Sequence, residues 1–163
     1  MKRPLLLFIG VAFFLSSCDR LSGLGYRVKE KAKSTVDRFF PTYESKVGDT
    51  DYNKKRFKEF FGFYPTDDVK NLYAYADELG VDASYYFSFN CNEQTVERII
   101  KELELQKDTA NRSSVIGFDL PYTWWNTERI DKLEPVLKIE KNIHWYLWHD
   151  REKNQAYFLT LDI

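Results

Sequence analysis

Cys91, His144 and His149 are the side chains whose types could support nucleophilic or metal chemistry. Cys91 precedes a predicted helix, where unpaired backbone N–H groups favour a thiolate, and either histidine could act as its base. The five-residue spacing of the histidines puts them on opposite faces of a regular strand, which argues against a metal site even with Asp150 as a third ligand. A small buried cysteine and two structural histidines are the more ordinary interpretation, so we predict no catalytic residue, no metal site and no cofactor.

Adjacent tryptophans, Trp124 and Trp125, lie close to Tyr122 and form the best candidate for ligand contact. Neighbouring rings in a loop after Pro121 cannot easily both point inward, so one of them would be exposed to stack on a sugar ring, a peptide or a protein. The alternative is that both rings clamp the loop onto a sheet. We therefore predict Trp124, Trp125 and Tyr122 as ligand-binding residues, with core packing as the competing interpretation.

The amino-terminal residues follow the order that is typical of an export signal. A positively charged start precedes an apolar run from Pro4 to Leu15, which is too short to span a bilayer as a helix. The residues that close the run, Leu15-Ser16-Ser17-Cys18, resemble the bacterial lipobox, at which a signal peptidase cuts before a diacylglyceryl-modified cysteine. This resemblance implies that residues 1–17 are a lipoprotein signal peptide and that Cys18 is acylated. An ordinary secretory signal is the alternative.

Acylated Cys18 would hold the protein to membrane lipid on the extracytoplasmic side of a cell membrane. In enterobacterial lipoproteins, an aspartate at the place of Asp19 resembles the signal for retention in the inner membrane, which implies its periplasmic face. Residues 18–25 contain two glycines and are predicted to be a short lipidated tether. Residues 26–40 have apolar residues at helical spacing up to Pro41, and they predict an amphipathic helix whose basic residues either are solvated or contact anionic headgroups.

Composition limits the class of protein further. Removal of residues 1–17 leaves 146 of the 163 residues, which suits a single domain at 26–163. The loss of Lys2 and Arg3 leaves 22 basic and 25 acidic residues, a formal charge of −3, so no nucleic-acid partner is expected. Cys91 is then the one cysteine that carries no lipid, and no intramolecular disulfide can form.

Alternating patterns predict an antiparallel sheet that is built from two hairpins, at about 69–90 and 142–163. Residues 69–79 also fit a helix, but the clear alternation at 83–90 favours a strand that pairs with it across a bend at Gly80. A content of 13 Phe, 11 Tyr and 4 Trp also favours a prominent sheet.

Helical spacing predicts a helical layer on this sheet, so the predicted fold class is α+β. Asn92 can cap the clearest helix, whose apolar stripe runs from Val96 to Leu103. The remaining segments are predicted as a polar loop (42–53), a short helix (57–61), a second loop (106–114) and a short helix that Pro135 ends (126–133).

Parts of residues 55–163 look like a group of small, uncharacterised and often exported bacterial proteins. The stretches that carry the resemblance are Tyr64-Pro65, Asp68 to Tyr73, Tyr85 to Asn92, Trp124-Trp125, Trp148-His149-Asp150 and Ala156-Tyr157-Phe158. The resemblance implies a common domain and no particular activity.

These patterns together predict a lipid-anchored protein of the cell envelope that acts as a non-enzymatic binding module for an envelope protein or a glycan. The first alternative is a cell-wall or carbohydrate-active enzyme, which predicts acidic side chains that converge near Trp124 or Trp125 in a cleft. The second is a toxin-neutralising or exclusion lipoprotein, which predicts a broad acidic or aromatic face without a cleft.

Overall fold

The computed structural model describes residues 41–78, 83–107 and 119–162. The chain divides into two units, Met1–Thr42 and Tyr43–Ile163, and the fold given below is that of the second. The predictions that fall outside the described residues are the signal peptide, Cys18 and its tether, the amphipathic helix at 26–40, the bend at Gly80 and the second loop from residue 108 onward.

The second unit has an α+β fold, as predicted, with a six-stranded antiparallel sheet. Its helices are α1 (Asp51–Phe61), α2 (Glu93–Leu103) and α3 (Thr127–Ile130). Its strands are β1 (Lys70–Asp77), β2 (Ala83–Asn90), β3 (Gln106–Lys107), β4 (Val136–Glu140), β5 (Ile143–Asp150) and β6 (Gln155–Asp162). The order across the sheet is β1-β2-β6-β5-β4-β3, so the two predicted hairpins are confirmed and meet through the pairing of β2 with β6.

The two longer helices begin at capping side chains. The side chain of Asn92 accepts a hydrogen bond from the N–H three residues later at 2.9 Å, which confirms the predicted cap of α2. Thr50 caps α1 in the same way at 3.2 Å, and Gly62 ends that helix with a φ of 78°, where glycine meets no Cβ penalty. Because of the Thr50 cap, α1 begins at Asp51, inside the segment that the sequence predicts as a polar loop.

The sheet is larger than the two hairpins that the sequence predicts. β4 joins β5 through a two-residue turn at Lys141-Asn142, and β3 pairs with β4 at the sheet's far edge. The prediction of a loop at 106–114 is therefore wrong for Gln106 and Lys107. β4 gives a weak sequence signal because it has only five residues and directly follows Pro135, which is also typical of a helix end.

The two faces of the sheet build two chemically different cores. α1 and α2 cover one face, and the core there is rich in phenylalanine: Phe57, Phe61, Phe63, Phe87, Phe89 and Phe158. Residues 119–135 cover the other face, where the core is rich in tyrosine and tryptophan: Tyr86, Trp125, Tyr146, Trp148 and Tyr157. Alternation along the strands produces this division, since successive side chains point to opposite faces.

No helix among the residues that the model describes is both long enough and apolar enough to cross a bilayer.

Asn53 joins α1, the preceding loop and the edge strand β1. Its side chain is fully buried, and its Nδ2 donates to the carbonyl oxygens of Glu44 (2.8 Å), Val47 (3.3 Å) and Leu72 (2.9 Å). Its Oδ1 accepts from the N–H of Glu44 at 2.9 Å. This one buried amide therefore links α1 to the preceding loop and to β1 through four hydrogen bonds, and it satisfies its own polar atoms in doing so.

We expect Asn53→Ala to lower the free energy of unfolding by about 2–3 kcal/mol, since it removes four hydrogen bonds of a fully buried side chain and leaves a small cavity. Asn53→Asp is expected to cost at least as much, because a carboxylate cannot donate to the three carbonyl groups. Denaturant titration followed by circular dichroism measures both values. Equal stability of the wild type and both variants would contradict the role given to this amide.

Candidate functional site

The predicted aromatic site is packed on the tyrosine-rich face of the sheet. The ring of Trp124 stacks against Tyr73, with centroids 5.7 Å apart, and against Tyr122, with centroids 5.3 Å apart. Its Nε1 donates a hydrogen bond of 2.7 Å to the carbonyl oxygen of Ser45. The indole is thus already engaged by two rings and one hydrogen bond, although Trp124 and Tyr122 both remain half-buried.

Trp125 packs differently from its neighbour. Its side chain is only 4 % exposed, and it meets the rings of Tyr86, Trp148 and Tyr157 edge-on. The two adjacent tryptophans therefore both contribute to holding residues 119–135 on the sheet. The ligand-binding role of Trp124, Trp125 and Tyr122 stays a prediction, and in this geometry an incoming molecule would meet Tyr122 and Trp124.

Asp150 is committed to a structural ion pair. Its carboxylate accepts from Arg129 Nε at 2.6 Å and from Arg129 Nη2 at 2.9 Å, and it also accepts from the N–H of Glu152 at 3.1 Å. The guanidinium hydrogen bonds hold the pKa of Asp150 below its usual range. The pair joins α3 to the β5-β6 turn. The carboxylate of Asp150 is therefore occupied by Arg129 and by backbone N–H groups of the turn, and it is not positioned as a metal ligand beside a histidine.

The two histidines lie on opposite faces of β5, as their spacing predicts. His144 Nδ1 is 3.3 Å from the hydroxyl oxygen of Tyr146, on the tyrosine-rich face. His149 lies on the face that α1 and α2 cover, beside Leu147. No group of three or more histidine, cysteine, aspartate or glutamate side chains among the described residues is placed to hold a metal ion.

Cys91 is not activated by its place before α2. Its side chain is buried, and burial, with a smaller contribution from the carboxylate of Asp68, raises the pKa of the thiol to about 12. The thiolate that a helix amino terminus would favour is therefore disfavoured here. The geometry supports the interpretation of Cys91 as a small buried apolar residue.

A concave groove lies between α2 and the β4-β5 edge. We call it the α2 groove. It has a volume of about 540 Å³, and five aliphatic side chains form its floor: Val96, Ile100, Leu133, Val136 and Leu147. Charged side chains of both signs stand around it, together with His149: Glu93, Glu97, Lys107, Lys132, Glu134 and Arg151. An apolar floor with convergent polar groups is the usual composition of a ligand site.

His149 gives the α2 groove its distinctive chemistry. Its Nε2 is buried and has no hydrogen-bond partner among the residues that the structure describes. Burial and the nearby Arg151 lower the pKa of His149, and they outweigh the opposing carboxylates of Glu93 and Asp150. Arg151 is itself 2.8 Å from Glu93. The imidazole is therefore neutral at neutral pH, and its protonation would bury a charge without a partner.

We expect the stability of the protein to fall as the pH is lowered through about 6.5, the ordinary pKa of an unfolded histidine. The folded state, with its lowered pKa for His149, binds fewer protons there than the unfolded state, so acid favours unfolding until the folded pKa is passed. Thermal unfolding between pH 7.5 and 4.5 measures this dependence. His149→Gln should remove this component, whereas His144→Gln keeps His149 and should retain it. An unchanged dependence in His149→Gln would contradict the assignment.

The α2 groove could not be found from the sequence. Its wall depends on β4, which is missing from the predicted sheet, and its floor combines residues from four separate segments. The one available signal is His149, which stands among aromatic and aliphatic residues of a strand.

Comparisons with protein-family models, with curated proteins and with solved structures found no match. The functional argument therefore depends on the chain's own residues and their geometry.

Proposed function

We propose that this chain is a lipoprotein of the bacterial cell envelope, and that its α+β domain is a non-enzymatic binding module. Acylated Cys18 holds the domain to a membrane on the extracytoplasmic side, and the α2 groove receives the ligand or partner. The anchor is supported by the order of positive start, apolar run and lipobox-like Leu15-Ser16-Ser17-Cys18.

The observation that carries the binding role is the composition of the α2 groove. Its aliphatic floor removes apolar surface of a ligand from water, and its rim offers both cationic and anionic side chains for orientation. The described residues that line it include no phenylalanine, tyrosine or tryptophan, which favours an aliphatic or peptide-like ligand over a sugar ring, since sugar rings stack on such side chains.

The chemistry of the possible reactive groups supports binding rather than catalysis. A thiol with a pKa of about 12 is a poor nucleophile at neutral pH, and the Asp150 carboxylate is held by Arg129. The neutral His149 lies in the groove, whereas His144 contacts Tyr146 on the opposite face of the sheet. The toxin-neutralising or exclusion alternative predicts a broad binding face without a cleft. The α2 groove is a cleft that suits a small ligand or a narrow segment of a partner, so it favours the binding-module hypothesis.

Site-specific photocrosslinking in living cells tests the binding role. A photoreactive amino acid replaces Glu97 on the groove rim in one strain and Thr123 beside the aromatic pair in a second. Lys153, exposed in the β5-β6 turn, is the matched control position. We expect adducts from position 97 and none from position 153.

The outcomes separate the candidate surfaces. Adducts from position 123 alone would transfer the binding role to the aromatic cluster of Tyr122 and Trp124. If neither position 97 nor position 123 gives an adduct above the level of position 153, the binding role is wrong.

A further inference from the structure

One end of the sheet exposes apolar side chains. Strand pairing aligns Glu140, Ile143, Asp162 and Ala83 in one row across β4, β5, β6 and β2 at this end. Ile143 directly follows the two-residue turn between β4 and β5 and Ile139 lies two residues before it, on opposite faces of the sheet, and each is 37 % exposed. We call residues 139–143 the β4-β5 tip.

The β4-β5 tip is continued by a half-buried tryptophan. Trp145 and Ile143 line a cavity of about 460 Å³ that opens beside the turn, together with Lys141 and Asp162. The Nζ of Lys138 lies 5.8 Å from the centroid of the Trp145 ring. Exposed isoleucines beside a tryptophan and two lysines are the mixture that favours the boundary between headgroups and acyl chains.

The chain enters the domain at this same end of the sheet. Residues 43–49 run antiparallel to β1 along its outer edge, because the N–H of Ala74 meets the carbonyl oxygen of Glu44, and the N–H of Asp49 donates to Leu72. At the start of this run, the ring of Tyr43 packs against Tyr85 with centroids 5.6 Å apart.

Strand pairing fixes the position of this entry point. Tyr85 is aligned with Thr160 and then with Trp145, two strands away and two rows from Ile143. Adjacent strands lie about 4.8 Å apart, so the entry point, outside β1, and Trp145 on β5 are separated by roughly 20 Å in the direction across the sheet. A chain that is anchored at Cys18 and joins the domain at Tyr43 therefore reaches it at the end that carries the β4-β5 tip.

We propose that the β4-β5 tip is a membrane-docking surface, which inserts Ile139 and Ile143 into the interface of the bilayer that holds the lipid anchor. The docking rests on the proposed acylation of Cys18. The two lysines Lys138 and Lys141 are balanced locally by Glu140 and Asp162, so insertion of apolar side chains drives the contact and anionic lipid is not required.

Depth-dependent quenching on the full lipidated chain in phosphatidylcholine vesicles tests this orientation. Asn142→Cys at the tip and Lys153→Cys at the opposite end of β5 each receive an environment-sensitive NBD label. The label is selective, because Cys91 is buried and Cys18 is acylated in the proposed anchor. We expect a blue shift and quenching by shallow spin-labelled lipid at position 142, and neither at position 153.

Substitution at the tip makes the result specific. Ile139→Asn with Ile143→Asn is expected to abolish the shift and quenching at position 142, while the protein still floats with the vesicles. Val47→Asn, at a more exposed apolar residue beside β1, is the matched control and should leave both signals unchanged.

The remaining outcomes are also decisive. Equal signals at positions 142 and 153 would overturn the docking, and so would a blue shift at position 142 that shallow lipid quenchers leave intact, which would indicate a protein contact. Loss of flotation in the wild type indicates failure of the anchor itself, and this is a separate result from a floating protein whose tip is not quenched.

Discussion

Cys18→Ala is expected to release the protein from the membrane fraction. A diacylglyceryl group and an amide-linked chain supply more than one acyl anchor, and each buried methylene contributes about 0.8 kcal/mol to membrane affinity. The substitution removes the attachment point, and the folded domain by itself offers only the small β4-β5 tip. We therefore expect the wild type in the membrane pellet after carbonate washing and the variant in the supernatant or as unprocessed precursor.

Metabolic labelling with an alkyne fatty acid separates lipidation from other causes of pelleting. The wild type should incorporate the label and Cys18→Ala should not. Cys91→Ala is the matched control, since it removes the other cysteine, which is buried, and should leave labelling intact. Label in Cys18→Ala would refute acylation at this residue.

Phe61→Ala is expected to produce the largest loss of stability, about 3–5 kcal/mol. The ring is fully buried at the end of α1, and it contacts the rings of Phe57, Phe87 and Phe158 at centroid distances of 4.5 to 5.6 Å. Removing it leaves a cavity where α1 packs on β2 and β6. Guanidinium titration followed by circular dichroism measures the shift of the midpoint, and the slope should stay constant.

Two further variants calibrate this result. Phe61→Leu keeps much of the buried volume and should cost distinctly less than the alanine variant. Val47→Ala changes an apolar side chain that is 59 % exposed, and its effect should stay within about 0.5 kcal/mol. A loss below about 1 kcal/mol for Phe61→Ala would contradict the role of α1 as the main cover of the phenylalanine-rich core.

The sequence predicts the parts of the fold that have strong local signals. The alternation at 83–90 and 143–150 is regular over eight residues each, and both segments are strands of that length. Asn92 combines a capping side chain with a following apolar stripe, and the helix begins where this pattern predicts. The segment at 69–79 fits both a helical and a strand periodicity. The clear strand pattern at 83–90 favours a strand that pairs with it, and this prediction is correct.

Elements that depend on long-range pairing were not predictable. β3 has two polar residues and exists because Gln106 and Lys107 pair with Leu137 and Val136. β4 has only five residues, and each of them pairs with a residue of β5. In both cases the pairing partner outweighs local propensity.

Site prediction met the same limit. Composition drew attention to Trp124 and Trp125, and the structure places both rings in packing contacts on the sheet. His149 was noted for its spacing from His144, whereas its significance comes from a groove built by α2, β4 and β5. The spacing of two histidines along the chain does not indicate which residues of other elements lie beside each of them in the fold.

The mass of the amino-terminal peptide from protein isolated out of native membranes tests the central claim most directly. The account predicts a chain that starts at Cys18 and carries a thioether-linked diacylglyceryl group, with no trace of residues 1–17. A mature protein that retains Met1, or that begins at an unmodified residue, would contradict it.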